Sequence, residues 1–395
     1  MTELIHNFDE PVNRRQSESK KFNPEAYSND VLPMWIADTD FKAPKPVAEA
    51  IQERAMHEVY GYPYPLPEYQ TSVQGWMDRR HNWQFNPEAV SYIGGVVQGF
   101  IVLINVLTEE HDQIACLTPL FSPLQKAVKT TNRTLVTSSF IHENGEYKIN
   151  FEELEKIFAD PKTKMFILCN PHNPVGKVFK RDELEQIAEL CLKYDVKIYS
   201  DEVHSEVIYD DNVHIPIASL SEEVANITAV GVNPGKAFSV TGIRAAAIIC
   251  TDENMREKFR KFRDDHKLSG RTVMGQHVFI TCFTHCDYYI DQQQEYLQKN
   301  RDYLYDFIKN EVPEIKFEKP EATFLMWLDC RELNLSQDEL MDLFETQGKI
   351  VFNSGEPFGP EGVGYVRMNI GVQFDVLKDA CQRIKKAIEF HRSNK

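Results

Sequence analysis

The sequence predicts an α/β protein: a mostly parallel central sheet flanked by helices, followed by a smaller α+β domain. Three observations carry that expectation. Short, unbroken apolar runs alternate with helical segments through the middle of the chain. Strands read this way when helices cover both faces of their sheet and neither face meets water. Several of these runs stop at polar or glycine-containing turns, as strands do at the edge of an open α/β sheet, where ligands gather. From about residue 287 the pattern changes to one long polar helix and then mixed strands and helices, the mark of an α+β unit.

Residues 1–45 are rich in Asn and Pro and show no periodicity, so they are expected to pack on the small domain rather than fold alone. A large domain is expected over 46–286. Its first helix falls over 46–59, with Pro at the start where a missing N–H costs nothing. Gly94-Gly95-Val96-Val97-Gln98-Gly99 opens a second helix. Strands are expected over 114–118, 165–169, 196–200, 227–232 and 245–250, with a helix over 182–194. The small domain, 287–395, is expected to hold helices over 292–311, 337–346 and 375–392 and strands over 324–328, 350–352 and 365–369.

The chain has 395 residues, enough for two sizeable cores. Its net charge of −16 argues against nucleic-acid or anionic-membrane partners, which need a basic face. No apolar run approaches the ~20 residues of a membrane span. The first residues carry acids and no apolar signal core. Eight cysteines are scattered through apolar runs and apparent helices, as reduced core thiols are. A cytoplasmic enzyme is the expectation.

The chemistry centres on Lys236, delivered by an apolar run and presented by Asn233-Pro234-Gly235. A lysine amine becomes a nucleophile in a confined, partly desolvated pocket, and an imine to an aldehyde is the usual product. A plain surface lysine is the alternative for this stretch alone. Asn170-Pro171-His172-Asn173-Pro174-Val175-Gly176 follows an apolar run as a rigid turn. Asp201 and Glu202 end another such run, with His204 just beyond. Buried acids are costly unless paired or used; a helix cap or ion pair would explain Asp201, and a satisfied core histidine would explain His204. The Gly94–Gly99 stretch offers backbone amides at a helix start, where an anion is favoured. Cys282-Phe-Thr-His285-Cys286 has no second ligand pair and is not expected to bind metal.

Taken together, these motifs resemble the fold type I pyridoxal-phosphate enzymes of the class I/II aminotransferase superfamily. Within it, Ala37-Asp38-Thr39-Asp40-Phe41, Tyr60-Gly61-Tyr62, Trp76-Met-Asp-Arg-Arg-His81 with Trp83, Ser200-Asp201-Glu202-Val203-His204 and Tyr365-Val-Arg367-Met-Asn369 are similar to the cystathionine β-lyase and cystalysin group. The resemblance implies a seven-stranded large-domain sheet, pyridoxal 5'-phosphate as cofactor, and a homodimer that shares its active sites.

It also implies roles. Lys236 carries the imine and takes the α-proton. Asp201 holds the ring nitrogen's proton, Asn173 bonds the ring hydroxyl, His204 lies in the cofactor site and Phe121 stacks on the ring. Val96 and Val97 amides, Arg244 and the partner subunit's Tyr62 hold the phosphate. Arg367 clamps the substrate carboxylate beside Ile36 and Ala37. A strand-end ion pair is the alternative for Arg367.

Three departures stand out. Gly235 occupies the position where the family has Ser, Phe121 replaces a Tyr of the C–S lyases, and Arg244 is an aminotransferase feature. The implied reaction is β-elimination on a sulfur amino acid such as cystathionine or cysteine. Transamination is the alternative. A catalytically idle relative that binds a regulatory protein is a third. Tyr64, Phe121 and residues 353–358 are expected to shape side-chain specificity.

Overall fold

The computed structural model describes residues 5–143 and 145–394. Residues 1–4, Asn144 and Lys395 lie outside the described residues, and with them the outer ends of the expected 1–45 and 287–395 segments. The central sheet has seven strands: β1 (Val90–Ile93), β2 (Gln113–Thr118), β3 (Thr134–Ser139), β4 (Thr163–Cys169), β5 (Lys197–Asp201), β6 (Thr228–Val232) and β7 (Ala246–Cys250). They lie in the order β1-β7-β6-β5-β4-β2-β3. Strand β7 runs antiparallel to both neighbours, and every other pairing is parallel. The apolar runs predicted this mostly parallel sheet, and the family resemblance implied its seven strands. The interior strands β5, β6 and β7 are buried along nearly their whole length, which explains their unbroken apolar composition.

The parallel register decides where the chemistry lies. Cys169 pairs with Asp201, and Asp201 with Gly231, so the carboxyl ends of β4, β5 and β6 open on one edge of the sheet. The helix Val96–Leu107 is pressed against the sheet at Gly99. A Cβ there would stand 2.6 Å from two carbons of Ile248, so only glycine permits this approach.

Beyond the helix Asp287–Glu311, β8 (Leu325–Asp329), β9 (Asn353–Ser354) and β10 (Tyr365–Asn369) form an antiparallel sheet in the order β8-β10-β9, backed by the helix Phe374–Ser393. The N-terminal segment lies against this sheet. Leu32 and Pro33 pair with Ile350 and Val351, and Asn369 Nδ2 donates to the carbonyls of Ile36 and Asp38 at 2.7 and 2.6 Å. Residues 36–38 are thereby held against the end of β10. The helix expected over 337–346 is an α-helix only over Gln337–Asp342 and widens into a π-turn over Leu343–Gly348. There Gly348 packs against the backbone of the C-terminal helix, and a Cβ would lie 3.1 Å from the Arg383 carbonyl. All eight cysteines are buried and unpaired.

Candidate active site

Asp201 ends β5, and its Oδ1 accepts a bond from its neighbour's backbone, Val203 N–H, at 3.3 Å. No α-helix starts there and no ion pair reaches the carboxylate among the described residues, so neither simple account of this acid holds. Burial pushes its pKa up to about 6, against the pull of the nearby Lys236 charge. A buried acid in this state is stabilised by a cation or by a proton shared with a ligand.

Lys236 sits in the loop after β6. Asn233 braces this loop: its Nδ2 donates to the Ala245 carbonyl at 2.9 Å, and its Oδ1 accepts from Gly235 N–H at 2.5 Å. A Cβ on Gly235 would lie 2.5 Å from that oxygen and 3.0 Å from the Thr241 Cα. A serine in this position would force Asn233 or the Thr241 backbone to shift. Ser239 adopts a left-handed conformation, φ 58°, held by contacts of its Oγ with Thr39 Oγ1 at 2.5 Å and Tyr289 OH at 3.3 Å. Such strain persists where surroundings over-determine it, and functional loops are a common setting. Lys236 Nζ donates to the Ala37 carbonyl at 2.5 Å. Burial, helped by Arg367, pushes the amine down to about 8, while Asp38 and Asp201 pull it back up.

Arg367, on β10, is buried. One Nη donates to Asn173 Oδ1 at 3.1 Å; the other donates to Asn353 Oδ1 at 2.7 Å and the Trp35 carbonyl at 3.4 Å. The guanidinium lies 4.9 Å from the Phe358 ring centre, and its Nε has no partner. Burial alone lowers its pKa to about 9. No carboxylate pairs with it among the described residues, so the strand-end ion pair does not form. Neutral acceptors hold the fork in place and leave its charge free for an anion.

The Asn173 carbonyl accepts from Phe121 N–H at 3.2 Å, and His172 Nε2 bonds the Pro119 carbonyl at 2.8 Å. The two turns after β2 and β4 are thus joined, with Phe121 half-buried beside them. His204 is buried, and its ring lies 5.6 Å from Phe324. Its Nδ1 has no partner, so it is not a satisfied core histidine. Burial and the charges of Lys236 and Arg367 push it down to about 3, which keeps it neutral.

Val96 and Val97 begin the helix Val96–Leu107. A Cβ on Gly95 would meet nothing within 4 Å, so open space lies before the positive end of that helix. Arg244 and Tyr62 are exposed, and neither side chain bonds another candidate among the described residues. The other candidates converge on one edge of the sheet. Sequence reasoning missed Trp35, Asn353 and Asp38 as neighbours of the site; Asn353 lies in the 353–358 stretch marked for specificity. It also missed Glu206, while Glu202, expected to be paired or used, is paired with His214.

A depressed lysine amine, a buried acid without a cation, an unpaired arginine fork and an open helix start form an unusual donor set. It fits pyridoxal 5'-phosphate, which presents an aldehyde, a basic ring nitrogen and a phosphate.

The sequence model of the family "Aminotransferase class I and II" matches residues 30–384. The chain belongs to this family. Among similar proteins, cystathionine beta-lyase PatB of Bacillus subtilis (strain 168) is 35% identical over 385 residues, spanning 97% of this chain and 100% of that one. Protein MalY of Escherichia coli (strain K12) is 29% identical over 363 residues, spanning 91% and 92%. Among solved structures, cystalysin from Treponema denticola, which contains a pyridoxal 5'-phosphate cofactor, superposes with a TM-score of 0.94 at 31% identity over 98% of this chain and 100% of that one. The PLP-bound C-S lyase from Staphylococcus hominis superposes with a TM-score of 0.90 at 27% identity, over 97% and 99%.

Proposed function

We propose that this chain is a pyridoxal 5'-phosphate-dependent carbon–sulfur lyase. It acts by β-elimination on sulfur amino acids such as cystathionine or cysteine and yields a thiol, pyruvate and ammonia. One observation carries the reading: a lysine amine depressed to about 8 lies within the electrostatic reach of a buried acid that makes no ion pair among the described residues. Full-length similarity to a cystathionine beta-lyase supports elimination over transamination.

When bound, the cofactor supplies an electron sink for the substrate's Cα–H bond pair. Arg367 holds the substrate carboxylate through both Nη groups, with Asn173 and Asn353 fixing the fork. The Ile36–Ala37 backbone flanks that site. Lys236, freed from the Ala37 carbonyl, would hold the cofactor and take the α-proton on Nζ. Asp201 holds the proton of the ring nitrogen, and neutral His204 closes the ring's surroundings without adding charge. Phe121 would stack on the ring, and Asn173 would bond its hydroxyl oxygen. The sulfur departs from Cβ as thiolate, and water completes the conversion of the remaining enamine to pyruvate and ammonia.

The Val96 and Val97 amides, with Arg244, bind the phosphate, and Tyr62 reaches it from a second copy of the chain. The exposed loop bearing Met56, Val59, Tyr60, Tyr62 and Tyr64 supports this homodimer, since exposed apolar clusters of this kind mark interfaces. A cavity of about 670 Å³ beside Tyr60, Tyr62 and Arg271 provides a place for the partner. The chain divides into an N-terminal segment (1–45), a cofactor-binding domain (46–286) and a small domain (287–395), and works in the cytoplasm.

Incubation with cystathionine and no oxo-acid acceptor tests the reaction. Continuous release of pyruvate and thiol is expected. A single turnover that halts with the cofactor in its amine form would instead make the chain an aminotransferase.

A further inference from the structure

The Trp76-to-His81 motif forms no part of the site above, yet it ends against it. Trp76 Nε1 donates to Glu206 Oε1 at 2.7 Å, and His81 Nε2 bonds the same oxygen at 2.8 Å. Ser205 Oγ donates to it at 3.1 Å, and Arg80 Nε lies 3.8 Å from Oε2. Glu206 is buried and follows Asp201 and His204 closely in the chain. The segment between them is a tight turn: Ser205 N–H donates to the Glu202 carbonyl and Val207 N–H to the His204 carbonyl, each at 3.2 Å. On the other flank, Glu202 Oε2 bonds His214 Nε2 at 3.0 Å, and its Oε1 accepts from Ser200 Oγ at 2.8 Å. The His81 ring meets the His214 ring edge-on at 5.0 Å. Two buried carboxylates, Glu202 within the Asp201–His204 turn and Glu206 just past it, are thus each bonded to a histidine, and the histidines touch.

Such a network is a poor way to gain stability, because apolar packing of equal volume serves as well or better than buried charge. What charge-assisted bonds add is direction. Trp76 also stacks on Phe283 at 5.0 Å and meets Phe238, two residues past Lys236, at 5.7 Å, so the brace touches the lysine loop as well.

We propose that Glu206, gripped by Trp76 and His81, is a positioning residue. It fixes the turn so that Asp201 and His204 face the cofactor ring in one orientation. The proposal rests on the cofactor reading given above.

The test uses the full-length protein and four variants: Glu206→Gln, Trp76→Phe, His81→Gln and His81→Leu. Each is measured for thermal unfolding, for pyridoxal 5'-phosphate affinity by titration of the apoprotein, and for the pH profile of the bound cofactor's absorption. Glu206→Gln and His81→Leu are expected to fold, to bind the cofactor about tenfold more weakly and to shift the absorption profile. His81→Gln, which keeps a donor, recovers most of the affinity. Folded variants with parental affinity and an unshifted profile would overturn the proposal, as would a His81→Gln protein no better than His81→Leu. If Glu206→Gln fails to fold, Trp76→Phe decides, because it deletes one donor and keeps the ring on Phe283; parental affinity and spectrum there would also overturn it. A parent protein that forms no chromophore with the cofactor defeats the cofactor reading itself, a result distinct from unaffected variants of a coloured parent.

Discussion

Confining the Lys236 amine costs the fold stability. Its amine is depressed to about 8 from the usual 10.5 because burial and Arg367 disfavour the charge. Below pH 8 the folded and unfolded chains both carry this proton, and the fold bears the full cost of a confined ammonium. Between pH 8 and 10.5 the unfolded chain binds more protons than the folded one, so stability rises with pH through that window. Lys236→Met should therefore abolish turnover and stabilise the apoprotein near neutrality by on the order of 1–3 kcal/mol. Denaturant unfolding at a series of pH values checks it: the gain should shrink as pH climbs from 8 toward 10.5. A variant less stable than its parent at pH 7 would contradict this account of the amine.

The lysine loop makes the case at the scale of an element. Its path depends on the Asn233 bridge, and a side chain at Gly235 intrudes on both Asn233 Oδ1 and the Thr241 backbone. Gly235→Ser should thus cost about 1–3 kcal/mol of stability by overpacking rather than improve phosphate binding. Thermal melts and cofactor titration of that variant separate the two outcomes. The same loop shows what the sequence could reveal. The interior strands β4 to β7 were legible because sheet strands covered on both faces become unbroken apolar runs. Two outer strands were not: β1 is short, and β3 is Thr134-Leu-Val-Thr-Ser-Ser139, mixed in burial. The helix Pro67–His81 escaped notice because its face toward the core mixes Tyr69, Ser72, Val73, Trp76 and Met77 with few strongly apolar neighbours. The site residues on strand ends were visible as motifs. Glu206 was not, because its partners Trp76 and His81 are distant in sequence and meet it only in the fold.

For the whole molecule, the claim is that one active site draws on two chains. Tyr62 is fully exposed on its own chain, although the resemblance gives it a phosphate to hold. Lys236→Ala and Tyr62→Ala proteins should each be impaired. Unfolded, mixed and refolded together, they should regain up to about a quarter of parental activity, because random pairing puts half the chains in hybrids and each hybrid holds one intact site. Recovery no greater than the sum of the two parents would place Tyr62 and Lys236 in the same chain's site or Tyr62 in no site. The acidic surface, net charge −16, fits a partner that is a second copy meeting through an apolar loop rather than a polyanion.

The attachment of the cofactor is open to direct chemical reading. The protein saturated with pyridoxal 5'-phosphate is reduced with borohydride, digested and mapped by mass. A single phosphopyridoxyl adduct on the peptide containing Lys236 is the predicted result. An adduct confined to any other lysine, or none at all in a protein that retains activity, would contradict it.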